Sequence, residues 1–274
     1  MNTFSVSLRG VMYRGIEVGR GPLLLWLHGW LGAAEEYLPF MEALAKTHRS
    51  IALDLLGHGK TKTDLPRVRY AVEEQVADLA AFLQKINEPV ILIGYSMGGR
   101  LALRVALAMP SLIRHLILES ASPGIERQED RMARLQLDLA RAEQITRDFP
   151  AFLEAWQRMP LFSSQRNMDE AEYAKLFARK RAQWPEGVAH SMAGMSQGFG
   201  EPEWPKIRAF RSPVSLLSGE FDTGYVASGA HLAKQFSRAT QCVIAHAGHH
   251  VHAERPAQFL TFLRDILLNR EESS

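Results

Sequence analysis

The sequence predicts an α/β fold: a mostly parallel central sheet with helices on both faces and an inserted helical lid at about residues 122–205. Three observations predict it. Short runs that are apolar on both faces recur along the chain, as in parallel strands covered by helices. Stretches with helical spacing lie between them, and that alternation gives a right-handed parallel sheet. From about Ser122 to Pro205 the buried-strand runs stop and helix formers take over.

Each element follows from its residues. Phe4 to Val18 reads as an extended antiparallel start. Leu23–His28 is an apolar run closed by Gly29, and Ser50–Asp54 and Pro89–Gly94 read the same way. Helical spacing runs over Ala34–Lys46, Val72–Ile86 and Met97–Met109, and another strand over His115–Glu119. In the inserted segment, apolar residues sit at helical spacing (Met132, Leu135, Leu139; Phe149, Phe152, Leu153, Trp156), punctuated by Pro150, Pro160, Pro185 and Pro205. Alternation resumes with a strand at Pro213–Ser218, a helix near Ala230–Phe236, a strand near Gln241–Ala245 and a last helix from Pro256 to about Leu268. The tail from Arg270 to Ser274 is expected to fray. One domain accounts for all 274 residues, because α/β folds often run to 250 or more as a single unit.

Composition narrows the partners. The single cysteine, Cys242, excludes an intrachain disulfide and a thiolate metal cluster. Net charge is +2 with no polybasic run, so nucleic acid is not an expected partner. No apolar stretch reaches the ~18 residues of a membrane span, and the first residues lack the pattern of a signal peptide. The expectation is a soluble cytoplasmic protein.

The chemistry concentrates in a few strings. Gly94-Tyr95-Ser96-Met97-Gly98-Gly99 follows a strand and opens a helix, the setting that a G-x-S-x-G turn demands. The turn is tight enough to exclude bulky neighbours, and it lifts the serine oxygen over a helix N-terminus whose dipole favours negative charge. A serine hydroxyl needs an imidazole oriented by a carboxylate to act at neutral pH. Asp222 and His249 stand in the expected chain order, each in a loop after a strand. Glu220 is the rival carboxylate; Asp222 is favoured because it lies farther out on the loop.

Four histidines crowd this end of the chain: His246, His249, His250 and His252. Without a metal-binding spacing of the H-E-x-x-H kind, no metal is expected. His246, His250 and His252 then read as structural or solvent-facing. His28-Gly29-Trp30 ends the first buried strand, so the N–H groups of Trp30 and Met97 are candidates for an oxyanion hole. No cofactor-binding motif stands out.

Taken together, Leu27-His28-Gly29-Trp30, Asp54-Leu55-Leu56-Gly57-His58-Gly59, the serine turn and Ala247-Gly248-His249 resemble the α/β-hydrolase superfamily across essentially the whole chain. Within it, Arg100, the Glu119–Ile125 segment, the arginine-rich opening of the insertion, Trp156 with Pro160-Leu161-Phe162, and Gly198–Trp204 resemble the family of 2-succinyl-6-hydroxy-2,4-cyclohexadiene-1-carboxylate synthases of menaquinone biosynthesis. Where that family carries Gln-Pro, this chain has Glu201-Pro202. The resemblance implies a lyase that expels pyruvate from a cyclohexene bearing three carboxylates. It implies Arg100, Arg134 and Arg181, or equally Arg179, as carboxylate binders, since guanidinium forks grip carboxylates bidentately. Tyr95 and Trp156 would pack against the same small-molecule substrate. Two other readings stay open: a carboxylesterase or carbon–carbon bond hydrolase with the same three residues, and a non-catalytic small-molecule receptor of the same fold.

Overall fold

The computed structural model describes residues 1–268, so the expected fraying of Arg270–Ser274 lies outside the described residues. Eight strands form one sheet: β1 (Asn2–Leu8), β2 (Val11–Gly19), β3 (Leu23–Leu27), β4 (Arg49–Leu53), β5 (Val90–Tyr95), β6 (Ile113–Glu119), β7 (Val214–Gly219) and β8 (Ala239–Ile244). Their order is β1-β2-β4-β3-β5-β6-β7-β8. β1 and β2 pair antiparallel, β2 runs antiparallel to β4, and all other pairs are parallel. The β1–β2 turn places both Arg9 and Gly10 at positive φ, which matches the right-handed twist of the two strands.

Period-two alternation explains the two faces of the sheet. Leu23, Leu25 and Leu27 of β3 pack into one core with α2 (Val72–Ile86) and α3 (Met97–Ala108). Leu24 and Trp26 point the other way, into a second core with α1 (Leu38–Leu44) and the C-terminal helix α11 (Pro256–Leu268). All five β3 residues are therefore buried. α2 carries Glu73 and Glu74 in its first turn and Lys85 in its last, which complements the helix dipole. Asn87, at positive φ, closes it.

Between β6 and β7 the described segment is helical and contains no strand. It comprises α4 (Gln128–Arg147), α5 (Phe149–Gln157), a 3₁₀ stretch (Pro160–Asn167), α6 (Glu170–Arg181), α7 (Pro185–Gly194) and α8 (Trp204–Ile207). Asp148 and Asp169 cap α5 and α6 through their side chains. A third apolar cluster, including Ile145, Phe149, Leu153 and Val188, seats this segment on Leu31.

Two helices depart from expectation. The Ala34–Lys46 stretch splits into a 3₁₀ turn (Ala34–Tyr37) and α1, because Pro39 sits in the first turn of α1. The helix expected near Ala230–Phe236 is α9 (Thr223–Ala233), starting directly after Asp222. Gly224 and Gly229 weaken its sequence signal, each costing about 1 kcal/mol of propensity, and packing on β7 and β8 overrides that. The last helices are α10 (Val251–Glu254) and α11 (Pro256–Leu268). No helix among the described residues is long and apolar enough to cross a membrane.

This topology selects a place for the site. From β3 the chain goes out to β4 on one side and returns to β5 on the other. In such sheets the crevice beyond the carboxyl ends of the strands at the reversal is where ligands bind.

Candidate active site

Ser96 stands where β5 meets α3, with φ 50° and ψ −111°, a sparsely populated conformation held by its surroundings. Its N–H donates to the Glu119 carbonyl (2.9 Å) and its carbonyl accepts from Arg100 N–H (3.0 Å). The turn fits only because Gly98 lacks a side chain. A Cβ there would collide with the carbonyl oxygens of Leu27 and His28.

Asp222 and His249 come to Ser96 from the loops after β7 and β8. Asp222 Oδ2 lies 2.6 Å from His249 Nδ1, and His249 Nε2 lies 3.0 Å from Ser96 Oγ. Both groups are buried, His249 at 3% exposure and Asp222 at 7%. The His249 loop is tied from below by Glu254, whose carboxylate accepts from the N–H groups of Gly248 (2.8 Å) and His250 (3.2 Å). The rival Glu220 is half exposed and accepts from His246 N–H (2.9 Å). A nucleophile or base touching an imidazole, itself oriented by a carboxylate, is the arrangement that activates a serine oxygen.

A cavity of about 230 Å³ opens over Ser96 and His249. Trp30, Met97, Tyr95 and Trp156 line it. The Trp30 indole donates to the Val188 carbonyl (3.0 Å) and meets Trp156 edge-on at 4.8 Å. Tyr95 is buried and stacks on His250 at 4.5 Å.

Four cationic side chains line the same cavity: Arg100, Arg134, Arg141 and Lys180. Arg100 donates to the Met195 carbonyl (2.9 Å), and burial lowers its pKa to about 10. Arg134 and Arg141 share one buried carboxylate, Asp138. Arg134 Nε lies 2.7 Å from Oδ2 and Arg141 Nη1 3.1 Å from Oδ1. The Ser196 hydroxyl donates to the same Oδ2 at 2.8 Å. Arg141 also lies over the Trp156 ring at 5.1 Å. Lys180 donates to Gln157 Oε1 (2.6 Å) and sits over Phe162, and burial lowers its pKa to about 8. Such a wall suits a ligand with several carboxylates.

Neither candidate for the third carboxylate binder lines this cavity. Arg181 is exposed, lies over Phe177 at 5.9 Å and is absent from the cavity lining. Arg179 lines a separate cleft beside Glu35 and Lys60. At about 100° per residue, consecutive residues of a helix face different ways, and α6 turns Lys180 inward instead. Arg141 was legible: Arg134, Asp138 and Arg141 fall at i, i+4 and i+7 on one helix face. Nothing in the sequence distinguishes Lys180 from its two arginine neighbours. The departure at Glu201 has a partner, since its carboxylate takes Arg131 Nη2 at 2.7 Å.

His250 and His252 are buried, not solvent-facing. His252 Nδ1 lies 2.6 Å from Glu119 Oε2. Burial alone would lower its pKa, but Glu119 and then Glu36 overcome that and raise it to about 9.

Residues 22–256 match the model of the alpha/beta hydrolase fold family. The chain belongs to that family, and it is an enzyme of this kind. More narrowly, it is 33% identical to the 2-succinyl-6-hydroxy-2,4-cyclohexadiene-1-carboxylate synthase of Klebsiella pneumoniae (strain 342), over 90% of this chain and 94% of that one. It is 29% identical to the enzyme of the same name from Photorhabdus laumondii, over 90% of this chain and 85% of that one. Among solved structures, MenH from S. aureus superimposes with a TM-score of 0.88 at 28% identity, covering 96% of this chain and 99% of that one.

Proposed function

We propose that the chain eliminates pyruvate from the succinylated enolpyruvyl cyclohexene carboxylate intermediate of menaquinone biosynthesis, with Ser96, His249 and Asp222 as its base and residues about 122–205 as a lid. The observation that carries this reading is the convergence of four cations beside the Ser96–His249–Asp222 chain. An esterase for uncharged substrates gains little from such a wall. A tricarboxylate gains orientation, and orientation lowers the barrier.

In this mechanism Asp222 holds the imidazole with Nε2 toward Ser96 and stabilises its cation. His249 takes the serine proton as Ser96 Oγ removes a ring proton. A ring double bond forms, the bond to the enolpyruvyl oxygen breaks, and pyruvate leaves as its enolate, which gains a proton. No acyl-serine forms. The N–H groups of Trp30 and Met97 face the charge developing on a substrate oxygen, Arg100, Arg134, Arg141 and Lys180 hold the carboxylates, and Tyr95 and Trp156 pack against the ring. The step is redox-neutral and is served by acid–base groups alone.

Pyruvate release from that substrate, with wild type and Ser96→Ala compared, tests the reading. Loss of a general base costs about 10²–10⁴-fold, so S96A is expected to fall by that much in kcat while substrate binding stays near wild type. Replacing Arg100 is expected to weaken binding chiefly. The reading is overturned if a folded wild type that reacts with a fluorophosphonate releases no pyruvate. Turnover of p-nitrophenyl esters through an acyl-serine would then make it a hydrolase.

A further inference from the structure

Against the ring of Tyr95 lies a second buried cluster that the proposed reaction does not use. Glu36 comes from the 3₁₀ turn before α1, while His250 and His252 come from the loop and first turn of α10. Their side chains are 4%, 4% and 2% exposed. Glu36 Oε2 makes no hydrogen bond and meets the two imidazoles only at ion-pair distance, an expensive state for a buried carboxylate oxygen.

The three ligand atoms are spaced for an ion. Glu36 Oε2 lies 4.0 Å from His250 Nε2 and 3.8 Å from His252 Nε2, and the two nitrogens are 3.0 Å apart. The point equidistant from these three atoms is about 2.1 Å from each, and zinc takes imidazole nitrogen and carboxylate oxygen at about 2.0–2.2 Å. His252 is also oriented as a ligand would be. Its Nδ1 faces the Glu119 carboxylate at 2.6 Å and its backbone N–H donates to the other oxygen at 3.0 Å, a carboxylate–histidine support that holds Nε2 toward the centre. Tyr95 stacks flat on His250 at an interplanar angle of 9°.

We propose that Glu36, His250 and His252 form a binding site for one divalent transition-metal ion of the zinc class, with a fourth position toward the cavity that Glu36 and His250 line. Two imidazoles and one carboxylate suit zinc, cobalt(II) or nickel(II) better than calcium or magnesium, which prefer oxygen alone. The ion replaces the proton that otherwise links the two imidazoles and gives the Glu36 oxygen, which makes no hydrogen bond, a direct bond. It ties the 3₁₀ turn to the loop that carries His249, with Glu119 of β6 as outer support. Lys180 and, after it, Arg179 are the nearby cations that oppose it. The site was invisible in the sequence because Glu36 lies far from the two histidines and no helix presents the three together. It stands independently of the pyruvate-releasing reading.

The test is cobalt(II) and zinc(II) binding to the chelator-treated full chain. One equivalent is expected, giving the visible bands of a low-coordinate cobalt centre and a saturable rise in Tm with zinc. X-ray absorption of the zinc-loaded wild type should show two imidazoles, a measurement that needs no variant. Glu36→Gln and His252→Gln are each expected to weaken binding at least tenfold, and Glu119→Gln by about 10–100-fold. His249→Gln and His246→Gln should retain it. Absence of saturable binding, fewer than two imidazoles at the bound ion, equal binding by folded E36Q, or loss in His249→Gln overturns the proposal.

Discussion

The cavity has a floor and a roof, and the two are built on different physics. The floor is sheet edge. Ser96, Asp222 and His249 each stand at the end of a parallel strand, and their mutual distances follow from backbone: a strained serine turn, a glycine with no room for a Cβ, and loop N–H groups held by Glu254. The roof is helix surface. Arg134, Arg141 and Lys180 reach the cavity on long side chains held by ion pairs and hydrogen bonds to Asp138 and Gln157. A backbone-built half tolerates little change and governs the reacting atoms. A side-chain-built half can be retuned one residue at a time, so on the proposed function it is where substrate preference is set.

If that division is right, the largest single effect comes from the floor. Gly98→Ala must push the serine turn away from the carbonyls of Leu27 and His28. A displacement near 1 Å at reacting atoms costs about 10²-fold, so kcat is expected to fall by at least that much, with KM little changed and Tm lowered. A G98A enzyme with wild-type kcat would break the comparison. The largest roof effect should come from Asp138→Ala, which frees two guanidinium groups and the Ser196 hydroxyl together. KM is expected to rise about tenfold, equivalent to about 1.4 kcal/mol of binding, with kcat nearly unchanged. Steady-state kinetics on both variants would expose a roof that acts on kcat instead.

Legibility in the sequence divides along the same line. The α/β fold, the parallel strands and the strand ends carrying Ser96, Asp222 and His249 follow from apolar runs and glycine strings, because backbone-built features leave local marks. α2 matches its expected bounds of Val72–Ile86, and α11 starts at the expected Pro256. α9 does not, because packing decided a helix whose glycines argued against it. On the roof, Arg134 and the missed Arg141 share a helical stripe that periodicity can find. Lys180 cannot be found that way, since the angular position of one residue in α6 depends on how the helix seats on Phe162 and Gln157. The buried carboxylate Asp138 and the pairing of Glu36 with two distant histidines are products of tertiary packing alone.

The choice of Lys180 over its neighbours sharpens the roof further and predicts a smaller effect. Lys180→Met keeps the stem and removes the ammonium, so KM is expected to rise several-fold while kcat stays within about twofold. Arg181→Ala, outside the cavity and exposed, is expected to change neither constant measurably. Equal losses in the two variants would return the third carboxylate contact to the arginine.

A different kind of effect, on stability and not on turnover, reads the floor from below. His28 and His58 lie with ring centroids 5.2 Å apart beneath the strand ends, both fully buried. Leu55 N–H donates to His28 Nε2 (2.9 Å), which leaves Nδ1 to donate to the Gly29 carbonyl (2.7 Å) and fixes a neutral tautomer. Burial lowers the pKa of His28; burial and then His28 lower that of His58 well below 6.5. The unfolded chain takes up protons near pH 6.5 while these folded rings do not, so stability is full above that pH and declines below it. The limiting slope is about 1.4 kcal/mol per pH unit for each histidine. In the metal-free chain His252 works in the opposite sense at higher pH: raised to about 9, it contributes stability below 6.5 that is lost as the pH climbs through 9. Urea midpoints should therefore drop between pH 6.5 and 5, and His58→Gln should flatten that drop without altering the loss toward pH 9. An unchanged acid limb in that variant would mean that His58 does not set the acid stability of the floor.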